Sequence, residues 1–362
     1  MRVLVVQSWY PAFLDAHYRL RPGLAEQPYA EQWASLMASG FSATDAYSTA
    51  LRAQGHEAEE LIVNCRPLQE RWALEHGLSL RRRLRPGVRP DWQEAVALAQ
   101  AQAFAADVVH VDLLTPLEPA TVAAFQRGGR ALVVGQIATF LPPPQHLDPY
   151  GLILTSFPHF VPRLRTASRG CEYLPLAFDE RLLDRLPAPS NAFGAVFVGG
   201  LGRAWHGKGN DVLEVAAAQV PVDFWGYGAE SWPDGSPLRQ RYHGEAWGLD
   251  MHRVHRAARI VLNRHIDAAE GHANNLRLFD ATGAGALLLT DEGSNLGELY
   301  EPGREVVTYR DPDDLVAKVR HYLAHEDERR SIAEAGHRRT LADHTWTVRM
   351  RAYAEIVARY AG

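Results

Sequence analysis

The constraint that most narrows the fold is a series of short runs rich in β-branched residues, several of them continuous and apolar, alternating with segments of helical spacing. The first series reads Arg2–Val6, Ala58–Val63, Val108–Val111, Ala131–Val134 and Leu152–Thr155. A second follows at Ala195–Val198, Val222–Trp225, Ile260–Asn263, Ala286–Thr290 and Glu305–Tyr309. Runs without polar alternation suit strands buried on both faces, as in parallel sheets. Between them, Asp91–Ala105 and Pro119–Arg127 carry helical spacing. Strands alternating with helices imply α/β doubly wound sheets.

The series breaks once, at Leu186-Pro187-Ala188-Pro189-Ser190-Asn191. A short polar segment with two prolines followed by a fresh strand predicts a linker between two Rossmann-like domains. The expected domains are therefore 1–186 and 187–345. A C-terminal helix over 346–362 could cross back to the first domain. The last stretch is helical at Pro312–His325, Glu328–Leu341 and Trp346–Tyr360. Two such domains facing each other leave a cleft, and ligands of open α/β sheets bind at the carboxyl ends of the strands.

Composition excludes several classes. The chain has 362 residues, 46% hydrophobic and 22% charged, with a formal net charge of -5. That balance supplies no electrostatic attraction for nucleic acid. The one basic run, Leu80-Arg81-Arg82-Arg83-Leu84-Arg85, reads as a solvated helix end, or as a patch for an anionic acceptor or surface. Two cysteines, Cys65 and Cys171, suit a reducing cytoplasm. No stretch approaches the ~18 apolar residues of a membrane helix.

Three loops after strands carry the chemistry. The first runs from Gly199 to Gly209 and precedes a helix expected at Asp211. Its glycines let backbone approach phosphate, and Arg203 and Lys208 supply charge. Gly202 to Lys208 fits the first seven positions of a P-loop, but Gly209 stands where magnesium needs Ser or Thr. The second loop is Asn263-Arg264-His265. Cationic side chains at a strand end need a partner, either a diphosphate or Asp267. The third, Gly271 to Gly285, enters a helix near Asn274–Arg277, where free backbone N–H groups form an anion site. Asp280 lies one turn on, placed to accept from a ribose diol.

The third loop resembles the donor motif of GT-B glycosyltransferases of the family 4 kind, E-G-F-G-x-x-x-x-E-A-x-x-x-G. Asp280-Ala281-Thr282-Gly283-Ala284-Gly285 aligns with its second half. The resemblance gives Asp280 the ribose-binding acid, and His272 falls where the family carries the acid that touches the donor sugar. The chain is more closely similar to the CgeB-like, spore-maturation-type group. That likeness rests on Gly244-Glu245-Ala246-Trp247-Gly248, Asn263-Arg264-His265, Ala273-Asn274-Asn275-Leu276-Arg277-Leu278, Ala281 through Asp291, and Ala333 through Leu341 with His344-Thr345. It extends more loosely to Trp9-Tyr10-Pro11, Asn64 with Gln69 and Trp72, Gly135-Gln136 and Ser156-Phe157-Pro158.

The resemblance implies the GT-B fold and a glycosyltransferase of the hexosyltransferase kind, metal-independent and retaining. The donor would be a nucleotide-diphosphate sugar, with UDP favoured, and no cofactor is needed. Arg203, Lys208, Arg264, His265, Asn274, Asn275 and Arg277 would hold the diphosphate, Asp280 the ribose, and Tyr227 and His243 the base. Asp112 and His159 would be the bases if the reaction inverts, with His272 beside the sugar. The acceptor stays open between glycan, protein and small metabolite. A sugar-nucleotide 2-epimerase, or a non-catalytic nucleotide- or glycan-binding protein, is the alternative.

Overall fold

The computed structural model describes residues 1–80, 92–126 and 131–361, and of residues 203–208 the backbone alone. The basic run at 81–85 lies outside the described residues. The chain forms two compact units. Unit 1 is Met1–Pro175 with Arg349–Gly362, and unit 2 is Leu176–Val348. The division falls before the proline-containing segment Leu186–Asn191, which lies inside unit 2. The last helix, Trp346–Ala358, begins in unit 2 and continues into the residues of unit 1.

Unit 1 contains β1 (Arg2–Gln7), β2 (Glu57–Ile62), β3 (Val108–Val111), β4 (Leu132–Ile137), β5 (Leu152–Thr155) and β6 (Gly170–Tyr173). All pair in parallel, in the order β2-β1-β3-β4-β5-β6. Strand β6, Gly-Cys-Glu-Tyr, has no apolar run and is absent from the strands expected from sequence. Unit 2 contains β7 (Phe193–Val198), β8 (Val222–Trp225), β9 (Ala258–Leu262), β10 (Leu287–Asp291) and β11 (Val307–Tyr309), also parallel, in the order β11-β10-β9-β7-β8. The apolar runs are buried as expected: Val3, Val108, Val133, Leu152, Ala195, Val222, Ile260 and Leu287 are all at 0% exposure.

Each sheet reverses its winding direction once. In unit 1 this happens between β1 and β3, and in unit 2 between β7 and β9. At such a switch point the connections leave in opposite directions and open a crevice beyond the strand ends. The loops after β7 and β9 are therefore the places in unit 2 where a ligand meets the most polypeptide.

The glycine loop after β7 is shorter than its sequence suggests. The helix begins at Arg203, with Gly202 as its N-cap, and runs to Ala217, so the expected start at Asp211 is corrected. Lys208 and Gly209 lie on a helix rather than in a loop. Among the described residues no helix is long and apolar enough to cross a membrane.

Unit 2 also buries two histidines on the helix Leu249–Ala257. His252 is 2% exposed and His255 fully buried. Both nitrogens of His255 and Nδ1 of His252 lack partners among the described residues. Burial lowers the pKa of His252 to about 4, and burial, then the charges of His252 and Arg277, lowers that of His255 well below the usual imidazole value. Below the unfolded value of 6.5 the unfolded chain takes up protons that these folded imidazoles refuse. Their contribution to stability is thus present above pH 6.5 and lost as pH falls towards 4. Replacing both by leucine should flatten the fall in melting temperature between pH 6.5 and 4; an unchanged slope would refute the assignment.

Candidate functional site

The site begins with a steric requirement at the ends of β7 and β8. Gly199 follows β7 with φ +159°, and Gly226 follows β8 with φ +130°. A Cβ at Gly226 would stand 1.8 Å from the Gly199 carbonyl oxygen. A Cβ at Gly199 would in turn stand 2.0 Å from Nη2 of Arg277. A Cβ at Gly209, on the helix after β7, would meet Arg264 Cδ at 2.4 Å. Glycine inside a helix costs about 1 kcal/mol relative to alanine. Here it leaves room for a guanidinium.

The two arginines thus admitted converge on one aromatic ring. Arg264, directly after β9, places its guanidinium carbon 5.6 Å from the Phe197 ring centre, and Arg277 places its own 4.4 Å away. Arg264 donates through Nε to Asn210 Oδ1 at 2.8 Å and through Nη2 to the Gly200 carbonyl at 2.9 Å. Arg277 donates through Nε to the Val198 carbonyl and through Nη1 to Asn263 Oδ1, both at 2.8 Å. Every acceptor is neutral. Among the described residues neither guanidinium makes an ion pair, and Nη1 of Arg264 and Nη2 of Arg277 have no partner. Asp267, the acid that sequence offered to Arg264 as an alternative partner, forms no salt bridge with it.

Arg264 is 5% exposed. Burial lowers its pKa. Burial, then the charge of Arg264, brings Arg277 down to about 10. Tyr309, Asp291, Tyr227 and Asp267 oppose the fall for Arg264, and Asp280, Tyr227 and Tyr309 for Arg277, none of them through an ion pair among the described residues. A buried, unpaired cation is costly unless an anion arrives.

The start of the helix Leu276–Gly283 completes the site. Asn275 is its N-cap, accepting from Leu278 N–H at 3.2 Å, while its Nδ2 donates to Asn263 Oδ1 and to the Arg264 carbonyl. The cap therefore ties the helix to the end of β9. Asn274, 4% exposed, has a buried Nδ2 without a partner among the described residues. His265 is used within the protein. Its Nδ1 accepts from Asn274 N–H at 3.2 Å, so the neutral ring carries its proton on Nε2, beside Thr290 Oγ1 at 3.3 Å and Asp291 Oδ1 at 3.4 Å. Burial lowers its pKa, and Asp291 opposes the shift. His265 thus fastens the helix start to the strand edge.

Asp280 lies on the same helix, 8% exposed, and its carboxyl has no hydrogen-bond partner among the described residues. Burial pushes its pKa to about 8, against the pull of Arg277 and with the push of Asp179. His272 lies before the helix, its Nδ1 3.1 Å from the Ala269 carbonyl. His243 stands apart from the arginines. It stacks on Trp225 at 4.5 Å between ring centres and bonds Asp223 at 2.9 Å. Tyr227 stacks on Trp247 at 5.6 Å. The side chains of Arg203 and Lys208 lie outside the described residues.

In unit 1, Asp112 follows β3 at the switch point and accepts from Ser8 N–H at 3.0 Å. Burial raises its pKa to about 8, with backbone N–H groups opposing. His159 packs against Phe160 at 4.5 Å and Phe157 at 5.6 Å, after β5. No described contact joins it to Asp112. Sequence reasoning passed over Asn210, Phe197 and the holding role of Asn263. Their signal was weak: a lone polar residue on a helix, an apolar strand residue, and an Asn read as part of a motif.

This geometry coincides with a recognisable class. Residues 208–355 match the family model described as "Glycosyl transferase-like". The two parallel-sheet α/β units have the fold of GT-B glycosyltransferases. The HepE protein of Anabaena, solved with UDP-glucose, is 13% identical with a TM-score of 0.65 over 99% of this chain and 100% of that one. A glycosyltransferase of Rickettsia africae is 10% identical with a TM-score of 0.62, covering 98% and 97%. A sucrose-phosphate synthase of Thermosynechococcus elongatus is 13% identical with a TM-score of 0.59, covering 99% of each chain. No curated protein matches the sequence.

Asp280 generates a test of the site. Its folded pKa of about 8 lies above the ordinary carboxyl value of 3.8, so between those values the folded protein holds a proton that the unfolded chain has released. Its penalty is absent below pH 3.8 and grows as pH rises to about 8. Asp280→Asn should therefore be more stable than the parent at pH 8 and converge with it near pH 4. Equal denaturation midpoints at pH 8 would contradict the burial of a charge-capable acid.

Proposed function

We propose that the chain is a glycosyltransferase that takes its sugar from a nucleotide-diphosphate sugar, with a uridine nucleotide as donor. The observation that carries this is the pair of guanidiniums over Phe197, bonded only to neutral acceptors. Two convergent cations with an open nitrogen each suit a diphosphate, and the start of the helix Leu276–Gly283 adds its partial positive charge. The HepE structure with UDP-glucose supports a uridine donor.

The chemistry follows from the charge. When the anomeric bond breaks, negative charge grows on the leaving diphosphate. Arg264, Arg277 and the start of the helix Leu276–Gly283 would stabilise it more than they stabilise the bound donor, which is what lowers a barrier. Arg203 and Lys208 are proposed to add charge at the same end. Preorganised cations make a metal unnecessary for this step, and the reaction is proposed to retain configuration. His265 acts by holding the helix start. Asp280, protonated near neutral pH, can donate to one ribose hydroxyl and accept from the other. Tyr227 with its stacked partner Trp247 is the proposed neighbour of the base. His243 joins it only if the base reaches the β8 edge. His272 is the proposed neighbour of the sugar. Asp112 and His159 are the proposed acceptor-side groups of unit 1. The acceptor is a glycan, a protein or a small metabolite.

A thermal-shift panel of nucleoside diphosphates should single out uridine diphosphate, because a ligand that binds only the folded state raises the melting temperature by mass action. Asp280→Ala should weaken that binding by about 2 kcal/mol, roughly 30-fold, from two lost hydrogen bonds of ordinary strength. A panel in which no nucleoside diphosphate shifts the transition would sink the proposal. Parental affinity in Asp280→Ala would remove the ribose assignment alone.

A further inference from the structure

Two buried asparagines raise a question that anion binding alone leaves open. Asn210 and Asn263 are both at 0% exposure. They sit on different elements, the helix Arg203–Ala217 and the end of β9. Each presents Oδ1 to one arginine at 2.8 Å, Asn210 to Nε of Arg264 and Asn263 to Nη1 of Arg277. Each has its amide turned the other way: Asn210 Nδ2 donates to the Gly202 carbonyl at 3.1 Å, and Asn263 Nδ2 to Thr290 Oγ1 at 3.0 Å. For Asn210 the second bond fixes which end faces the cation, since the Gly202 carbonyl cannot donate; for Asn263 the two donors on its Oδ1, Arg277 Nη1 and Asn275 Nδ2, do so.

A buried arginine is ordinarily held by a carboxylate, whose geometry matches the guanidinium fork. Here both holders are the isosteric amides. An amide oxygen orients the guanidinium and leaves its charge in place. A carboxylate would orient it and cancel the charge.

We propose that Asn210 and Asn263 are positioning residues that hold Arg264 and Arg277 while leaving both cations without a direct ion pair, so that the site selects a ligand carrying two adjacent phosphate charges. Asn263 does this at the helix start as well, because its Oδ1 also accepts from the capping Asn275 at 2.8 Å. The inference rests on the proposed diphosphate site and states why that site prefers a diphosphate to a monophosphate or an uncharged nucleoside.

The test is Asn263→Asp, with Asn210→Asp acting on the other arginine from a separate helix, so that a failure of one to fold leaves the other. The probes are inorganic pyrophosphate, uridine diphosphate and uridine, measured by calorimetry at several salt concentrations. The expected result is a folded protein that loses tenfold or more in affinity for pyrophosphate and uridine diphosphate. The salt dependence of binding should be shallower, and uridine binding unchanged. Asn263→Ser, neutral but shorter, should keep the parental salt dependence while losing some affinity. Parental affinity for pyrophosphate in a folded aspartate variant would overturn the inference. So would equal losses with equal salt dependence in Asn263→Ser and Asn263→Asp, because shape and not charge would then account for them. If the parent itself binds neither diphosphate, the proposed function fails first; if it binds and the aspartate variants bind equally well, only this inference fails.

Discussion

Much of unit 2 depends on two guanidiniums sharing the ring of Phe197 without an acid between them. The cation–π contact offsets part of the cost, on the order of 1–2 kcal/mol for a desolvated pair. It does not remove the mutual repulsion, which helps bring Arg277 down to about 10. The surroundings are shaped to tolerate this. Gly199 and Gly209 have no side chain because one would collide with Arg277 and Arg264. The ends of β7 and β9 supply the carbonyl and amide oxygens that hold the cations. The helix start beside them adds positive potential where a folded protein alone would prefer negative.

The nearest acid on the same helix is kept from resolving the conflict. Asp280 and Arg277 influence each other, yet no hydrogen bond joins them, and burial shifts each towards its neutral form, Asp280 up to about 8 and Arg277 down to about 10. An ion pair there would relieve both groups. Its absence leaves the cations available for one partner and the carboxyl for another. Sites that are unstable when empty often have this form, because the stabilising partner is the ligand.

The architecture was legible in sequence because burial on both faces leaves runs dominated by apolar and β-branched residues, and ten of the eleven strands were expected from such runs. Strand β6 escaped because Gly-Cys-Glu-Tyr sits at the edge of its sheet, where pairing needs no apolar run. Arg264 was legible because a charged residue at an apolar strand end demands a partner, whereas Arg277 and Asp280 stood out only through the helix start and the resemblance it carries. The glycines were legible as special but not in purpose. Gly199 and Gly209 suggested backbone approaching phosphate, and the structure shows them making room for side chains. His265 was likewise expected to touch a ligand, and both of its ring nitrogens are engaged within the protein. A contact between residues far apart in sequence, such as Gly209 with Arg264, leaves no local signature.

The two switch points each present an acid with a pKa near 8, but their surroundings suit different tasks. Asp112, after β3, accepts from Ser8 N–H, and further backbone N–H groups act on it, so its charged form has donors ready. Asp280 has no such donors and faces Asp179 as well as Arg277. A carboxyl with backbone donors can release a proton near neutrality without reorganising its shell, as proton exchange requires. A carboxyl without them is held protonated and is better suited to hydrogen bonding than to proton transfer. The same desolvation, acting on two differently supplied acids, separates a group able to exchange a proton from a group able to hold a hydroxyl.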